Sequence, residues 1–328
     1  MAVAVQPFAP SAAADRPIDI VDFGEEGPVR CAGCRAYINL FVTFKNDGKE
    51  WTCNLCKHNN KVPVSYECGV DTYGKRHDAL QRAELCRGSV DFVAGNNMLA
   101  NSGAGPNFLF VLDASYNSLG SGALSVCINA IRDILNSVKD PDRTRIGIVA
   151  YNTELLYFNL GLASKEPRVV VVPDLDEPYA PLPFNAFMPP ISECRETLNA
   201  LLDMLPDMFQ HVVDAASIVG AAVASARAAL QGQGGRVLLF QSALCSTGPG
   251  ALPNREHGNH NNSYGTSKEC YLFSPQEQLA KYYEDVARAC AVDQVCVDLF
   301  ACTNGFVDTA TMGILPNRTG GRVMFYEN

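Results

Sequence analysis

The chain has 328 residues, 47% hydrophobic and 19% charged, enough for one large core and a smaller satellite. Thirty-five acidic against 26 basic residues leave a net charge of −9, which argues against a nucleic-acid or anionic-lipid surface, because those are bound by clustered Lys and Arg that neutralise phosphates. The longest apolar runs, such as 108–112 and 169–172, are strand-sized and fall short of the roughly 18 residues of a membrane span.

Residues 1–14 lack the basic start and long apolar stretch of a signal peptide, so the thirteen cysteines are expected to be reduced and the chain cytosolic. Residues 1–28 carry Pro7, Pro10, Pro17 and Pro28 and read as a linker, with one possible edge strand around Ile18 to Phe23.

From Val29 the pattern changes. Cys31-Ala-Gly-Cys34 and Cys53-Asn-Leu-Cys56 are two Cys-x-x-Cys knuckles separated by eighteen residues, with a β-rich run and the turn Asn46-Asp47-Gly48 between them. Each knuckle aims two thiolates at one point, and a hairpin between them brings the pairs together, which is the pattern of a four-cysteine tetrahedral zinc site over 29–66. So small a unit has too little core to fold by burial alone, so folding and metal binding should be coupled. Four thiolates leave no open coordination position, so the zinc is expected to be structural, one per chain. Disulfides would need an oxidising compartment, and a redox pair would need one Cys-x-x-Cys at a strand-to-helix junction. His58 reads as a surface residue beside a complete ligand set, and Trp51 and Phe44 as packing residues of the ribbon.

Residues 67–106 form a glycine-rich connector in which Cys86 to Val93 alternates like a strand of β-sandwich type. Lys75, Arg76, Arg82 and Arg87 make a local basic strip here, either a contact surface or solvated connector residues. Cys68 and Cys86 have no partner at ligand spacing.

Over 107–328 apolar strands alternate with helices: strands at 108–112, 145–151, 155–160, 169–172, 237–240, 295–300 and 323–326, and helices at 121–138, 191–205, from Asp214 to 230, from Ser274 to about 291, and near 308–315. Ser121 and Asp214 are expected N-caps, and Ser274-Pro275-Gln276-Glu277 an expected capping box. The alternation predicts an α/β domain with a mostly parallel sheet covered on both faces. His257 and His260, in the polar loop 246–270, have metal-pair spacing but no third ligand nearby.

Ligands of open α/β sheets collect at the carboxyl ends of strands, which points to Asp113-Ala-Ser115-Tyr-Asn117. This run resembles the first metal-binding loop of von Willebrand A domains, Asp-x-Ser-x-Ser, with Asn117 in place of the last serine, a change that weakens a hard-cation site. No phosphate-binding loop and no nucleophile elbow occur, and the five histidines are scattered, so a non-enzymatic interaction module is expected.

The order of ribbon and A-like domain, together with Arg30-Cys31-x-x-Cys34-Arg35-x-Tyr37-Ile38-Asn39-x-Phe41, Trp51-x-Cys53-Asn54-x-Cys56, Glu84 to Ala94, and Val297-Asp298-Leu299-Phe300, resembles the cargo-adaptor subunits of the COPII vesicle coat, of the Sec twenty-four type. The resemblance implies a cytosolic coat protein at the endoplasmic reticulum membrane. It would pair with its GTPase-activating paralogue through the A-like trunk, join a small Sar-type GTPase, and select cargo for transport to the Golgi. It further implies a basic groove for acidic sorting signals near the start of the trunk, for which Arg76 and Arg82 are the candidates. The family continues past the trunk into a β-sandwich, a helical and a gelsolin-like domain, so much of its cargo surface is expected to lie outside these residues. The paralogous GTPase-activating subunit, and an A-domain-plus-zinc subunit of a transcription or repair complex, are the alternatives.

Overall fold

Hydrophobic side chains recur with two different periods along the chain, and they build two units, 1–99 and 100–328, in a computed structural model that describes residues 18–94, 105–161, 166–255, 265–267, 269–303 and 305–327.

The first unit is made of short strands. Asp19–Val21 (β1) is followed by Thr43–Lys45 (β2), Glu50–Thr52 (β3) and Asn59–Lys61 (β4), then by one helical turn, Ala83–Cys86 (α1), and by Val90–Phe92 (β5). β2, β3 and β4 form an antiparallel sheet, and β1 pairs in parallel with β5. Phe44 and Trp51 face each other across β2 and β3, and both are buried among Val29, Ile38, Val62 and Tyr66.

The expected Asn46-Asp47-Gly48 turn joins β2 to β3. Gly48 has φ +80°, and a Cβ there would lie 1.8 Å from the carbonyl oxygen of Cys68, so only glycine fits. The strand character expected upstream is confined to 43–45. Residues 37–41 instead turn around Asn39, whose Oδ1 accepts from Phe41 N at 3.0 Å and whose Nδ2 donates to Asn54 Oδ1 at 3.0 Å.

The second unit is a seven-stranded sheet with helices on both faces. Its elements run Asn107–Asp113 (β6), Tyr116–Ser121 (α2), Ala123–Ser137 (α3), Arg145–Tyr151 (β7), Leu155–Asn159 (β8), Arg168–Val172 (β9), Phe184–Phe187 (α4) and Ile191–Phe209 (α5). Val219–Leu230 (α6), Gly235–Gln241 (β10), Glu277–Val292 (α7), Val295–Cys302 (β11), Thr309–Met312 (α8), Ile314–Thr319 (α9) and Val323–Tyr326 (β12) complete it. The strand order is β12-β11-β10-β6-β7-β8-β9, and every pair from β12 to β7 is parallel; β8 runs antiparallel to both its neighbours.

One face buries Leu109, Val111, Val237 and Leu299 against α6 and α7; the other buries Phe110, Leu112, Ile146 and Ile148 against α3 and α5. Leu124, Cys127, Ile128, Ile131 and Leu135 line one side of α3 at the spacing that brings a helical stripe onto a sheet. Small side chains let α6 approach closely: a Cβ on Gly220 would sit 2.1 Å from the Pro249 carbonyl oxygen.

Three expected helix starts move. Gly122, in the left-handed region, precedes α3, and Ser121 ends α2. Asp214 accepts from Ala216 N at 2.8 Å in a turn, so it closes a loop, and α6 begins at Val219. α7 begins at Glu277 because Gln276 is held by Thr311 and Asp308, its backbone N donating to Thr311 Oγ1 at 3.1 Å and its Nε2 to Asp308 Oδ2 at 2.7 Å. His257 and His260 lie outside the described residues.

Candidate metal centre and basic groove

The two knuckles fold as copies of one another. Cys31 N donates to Ala36 O at 2.8 Å and Arg35 N to Cys31 O at 2.9 Å; Cys53 N donates to His58 O at 2.9 Å and Lys57 N to Cys53 O at 3.0 Å. Arg35 and Lys57 both turn the chain in the left-handed region, at φ 63° and 62°. The four thiols converge, all within 4.8 Å of one another, with Cys31 Sγ 3.5 Å from Cys56 Sγ and Cys34 Sγ 3.7 Å from Cys53 Sγ. Zinc–sulfur bonds of about 2.3 Å in a tetrahedron require sulfurs about 3.8 Å apart, so the cluster is sized for one zinc ion.

Electrostatics point the same way. Burial opposes ionisation of Cys31, but the Cys34 and Gly33 amides and the Asn60 side chain outweigh it and hold the thiol at about 6. Cys56 accepts from the His58 amide, which favours its thiolate, yet burial and the other three sulfurs push it up to about 12. Four thiolates this close need a cation between them. When bound, zinc here supplies cohesion, with all four positions filled by protein sulfur. His58 is exposed and is not part of the cluster.

The structure corrects the expectation for Arg76. Its side chain is fully buried: Nε and Nη2 grip Asp78 at 2.8 and 2.7 Å, Nη1 donates to Tyr66 O at 2.6 Å, and the guanidinium lies 4.2 Å from the centre of the Tyr66 ring. No face remains for a peptide. Arg82 lies over the same Tyr66 ring at 4.3 Å and bonds Asp78 Oδ2 at 2.6 Å, with a third of its side chain exposed. Tyr66 Oη donates to the buried Glu84 at 2.7 Å. These five side chains form a closed internal network that braces the segment after the ribbon.

Open cationic chemistry lies elsewhere, in residues flanking the first knuckle. A groove of about 620 Å³ is lined by Arg30, Arg35 and Lys61, with Glu26 as the one acid among its described lining residues and Phe23 and Pro63 as apolar wall. Arg30 is fixed by its Nε donating to Arg35 O at 2.7 Å and by stacking 4.6 Å over Tyr37, which itself stacks on Phe92 at 5.2 Å. Arg35 and Lys61 are exposed. Among the described residues none of these three cations pairs with a carboxylate. Linear distance hid this site: Arg30 and Arg35 were visible beside Cys31 and Cys34, but Lys61 joins them only through the fold.

In the second unit the Asp113 loop sits at the carboxyl end of β6, as expected, but its carboxylate is already used. Asp113 is 2% exposed; Oδ1 accepts from Ser115 N and Oδ2 from Ser242 N, each at 2.8 Å. Burial raises its pKa. Asn117 lines an open cleft of about 570 Å³ with Ser121, Ser242 and Thr303. The loop is a backbone clasp between β6 and the end of β10.

The Sec23/Sec24 zinc finger family matches residues 28–66 and the Sec23/Sec24 trunk domain family residues 104–328. Protein transport protein SEC24 C of Arabidopsis thaliana is 38% identical over 327 residues, 99% of this chain and 30% of that protein. Protein transport protein sec24 of Aspergillus niger is 34% identical over 329 residues, 99% of this chain and 35% of that protein. The crystal structure of the human COPII-coat protein Sec24c matches with a TM-score of 0.75 and 30% identity over 99% of this chain and 44% of that one. The chain spans about a third of the length of the curated relatives it matches. With a zinc-finger match on the four-cysteine unit and a trunk match on the α/β unit, the chain belongs to the Sec23/Sec24 family.

Proposed function

We propose that this chain is the ribbon-and-trunk part of a COPII cargo adaptor, working without catalysis on the cytosolic face of the endoplasmic reticulum in transport to the Golgi. The relatives named SEC24 and the human coat protein support the adaptor over its GTPase-activating paralogue. Through its trunk it pairs with that paralogue, and through the paralogue it joins a small Sar-type GTPase.

The observation that carries the cargo part is the groove at Arg30, Arg35 and Lys61, three cations around one concave surface that pair with no carboxylate among the described residues. Two guanidinium groups and an ammonium beside an apolar wall suit an extended peptide with acidic side chains. Arg82, two-thirds buried and held by Asp78, is left as a lesser contact at the edge of its own network.

Two measurements test the reading. A pull-down with purified GTPase-activating paralogue is expected to give a stoichiometric complex; none would overturn the coat assignment. Anisotropy with a labelled di-acidic peptide is expected to show salt-sensitive binding that falls about tenfold or more in Arg35→Glu, since a charge reversal in a groove removes an attraction and adds a repulsion. Equal affinity of the reversed groove would overturn the cargo site.

A further inference from the structure

The duplicated knuckles differ at one interior position. Residues 31, 35 and 36 of the first correspond to 53, 57 and 58 of the second, and the same offset aligns Ile38 with Asn60. Ile38 is 1% exposed and apolar; Asn60 is 6% exposed and polar. A buried carboxamide is tolerated only when its groups are bonded, and Asn60 bonds toward both knuckles. Its Oδ1 accepts from Ala32 N at 2.8 Å, inside the first knuckle, while its Nδ2 donates to His58 O at 3.1 Å, beside the second, and to Cys31 Sγ at 3.5 Å. Cys31 thus receives a side-chain N–H that has no counterpart at Cys53 among the described residues, where the partners are the Leu55 and Cys56 amides and neighbouring thiols.

We propose that Asn60 is a positioning residue of the metal centre: it locks the first knuckle in register with the second and spreads the negative charge of Cys31 Sγ, and so sets how tightly the zinc is kept. The inference rests on the zinc reading of the four cysteines. Outer partners of metal ligands act in this way, by fixing ligand orientation and tuning donor strength. Asn60→Asp keeps an acceptor for Ala32 N and replaces with an oxygen the N–H that faces Cys31 Sγ and His58 O, so it tests that N–H apart from the bond to Ala32.

The test uses the whole zinc-loaded chain and a chromogenic chelator, with Trp51 fluorescence at saturating zinc to verify that the ribbon is folded. Asn60→Ala is expected to weaken zinc retention by about 10–100-fold, and Asn60→Asp at least as much. Asn59→Ala, which removes only the exposed bond to Thr52, is expected to match the wild type. With cobalt in place of zinc, both Asn60 variants are expected to move the sulfur-to-metal charge-transfer band to lower energy. Wild-type retention and an unmoved band in Asn60→Asp would overturn the proposal, leaving Asn60 as a brace for Ala32 alone. A wild-type chain that takes up no zinc would overturn the metal reading beneath it.

Discussion

The four cysteines of the ribbon and the Asp113 loop of the trunk are both metal-ligand patterns, and the fold treats them in opposite ways. At the ribbon four sulfurs are brought within 4.8 Å of one another, and among the described residues backbone amides and one carboxamide are what offsets their charge. At the trunk loop both oxygens of a buried carboxylate already accept amides. A ligand pattern becomes a metal site when the protein gathers the donors and leaves their charge uncompensated. The same contrast separates the cations: Arg76 is saturated internally, whereas Arg30 and Arg35 face an open groove.

Removing the metal should break the comparison most forcefully. Structural zinc contributes about 10–16 kcal/mol in comparable peptides, more than so small a core can replace. The chain's single tryptophan, Trp51, is fully buried in the ribbon and reports on it alone. Chelation, or Cys53→Ser, is expected to expose Trp51 while the helical circular dichroism of the α/β unit persists. An unchanged Trp51 spectrum in metal-free protein would put the ribbon in the same class as the trunk, stable by packing alone.

The next effect tests the saturated cluster beside the ribbon. Asp78→Ala leaves the fully buried Arg76 guanidinium without its carboxylate, which is expected to cost about 3–5 kcal/mol. Bonding to Arg76, and then to Arg82, holds the Asp78 carboxyl well below the usual range against the opposing effect of burial. Because the folded value is depressed, this stabilisation is present in full above the unfolded value of about 4 and is lost as pH falls below it. Denaturant melts of the zinc-loaded chain at neutral pH measure it. Tyr66→Phe removes one donor from the buried Glu84 and should cost less, about 1–3 kcal/mol, with Arg82 still 3.6 Å from the same carboxylate.

How much of this the sequence disclosed follows from the range of the interactions. The metal site was legible because each knuckle is a four-residue motif and four thiols admit few other readings. The strands β7 and β12 were legible to the residue because apolar runs at sheet positions are local signals. Helix starts read from capping residues were not, whereas α5 begins at Ile191 as expected: Ser121, Asp214 and Ser274 have capping chemistry, but tertiary partners such as Thr311 and Asp308 decide where the backbone turns. The basic groove was missed for the same reason. Lys75, Arg76, Arg82 and Arg87 lie close together in sequence, yet Asp78 and Tyr66 take up Arg76, while Lys61 reaches Arg30 and Arg35 only through the fold.

The smallest expected effect is the sharpest test of the difference between gathered and saturated ligands. Asn117→Ser restores the Asp-x-Ser-x-Ser pattern of an A-domain metal loop at a position on the cleft. If the pattern alone made a site, millimolar magnesium would then raise the melting temperature of the variant. The structure predicts otherwise, because a cation at this loop would have to displace the Ser115 and Ser242 amides from Asp113 and release the clasp between β6 and β10. Burial also disfavours the charged carboxylate that a hard cation requires. Stability with and without magnesium is therefore expected to agree within about 0.5 kcal/mol, the usual range for a surface substitution. A magnesium-dependent rise in the variant would mean that the clasp is weaker than its two 2.8 Å bonds imply, and that only the missing serine separates this loop from a working metal site.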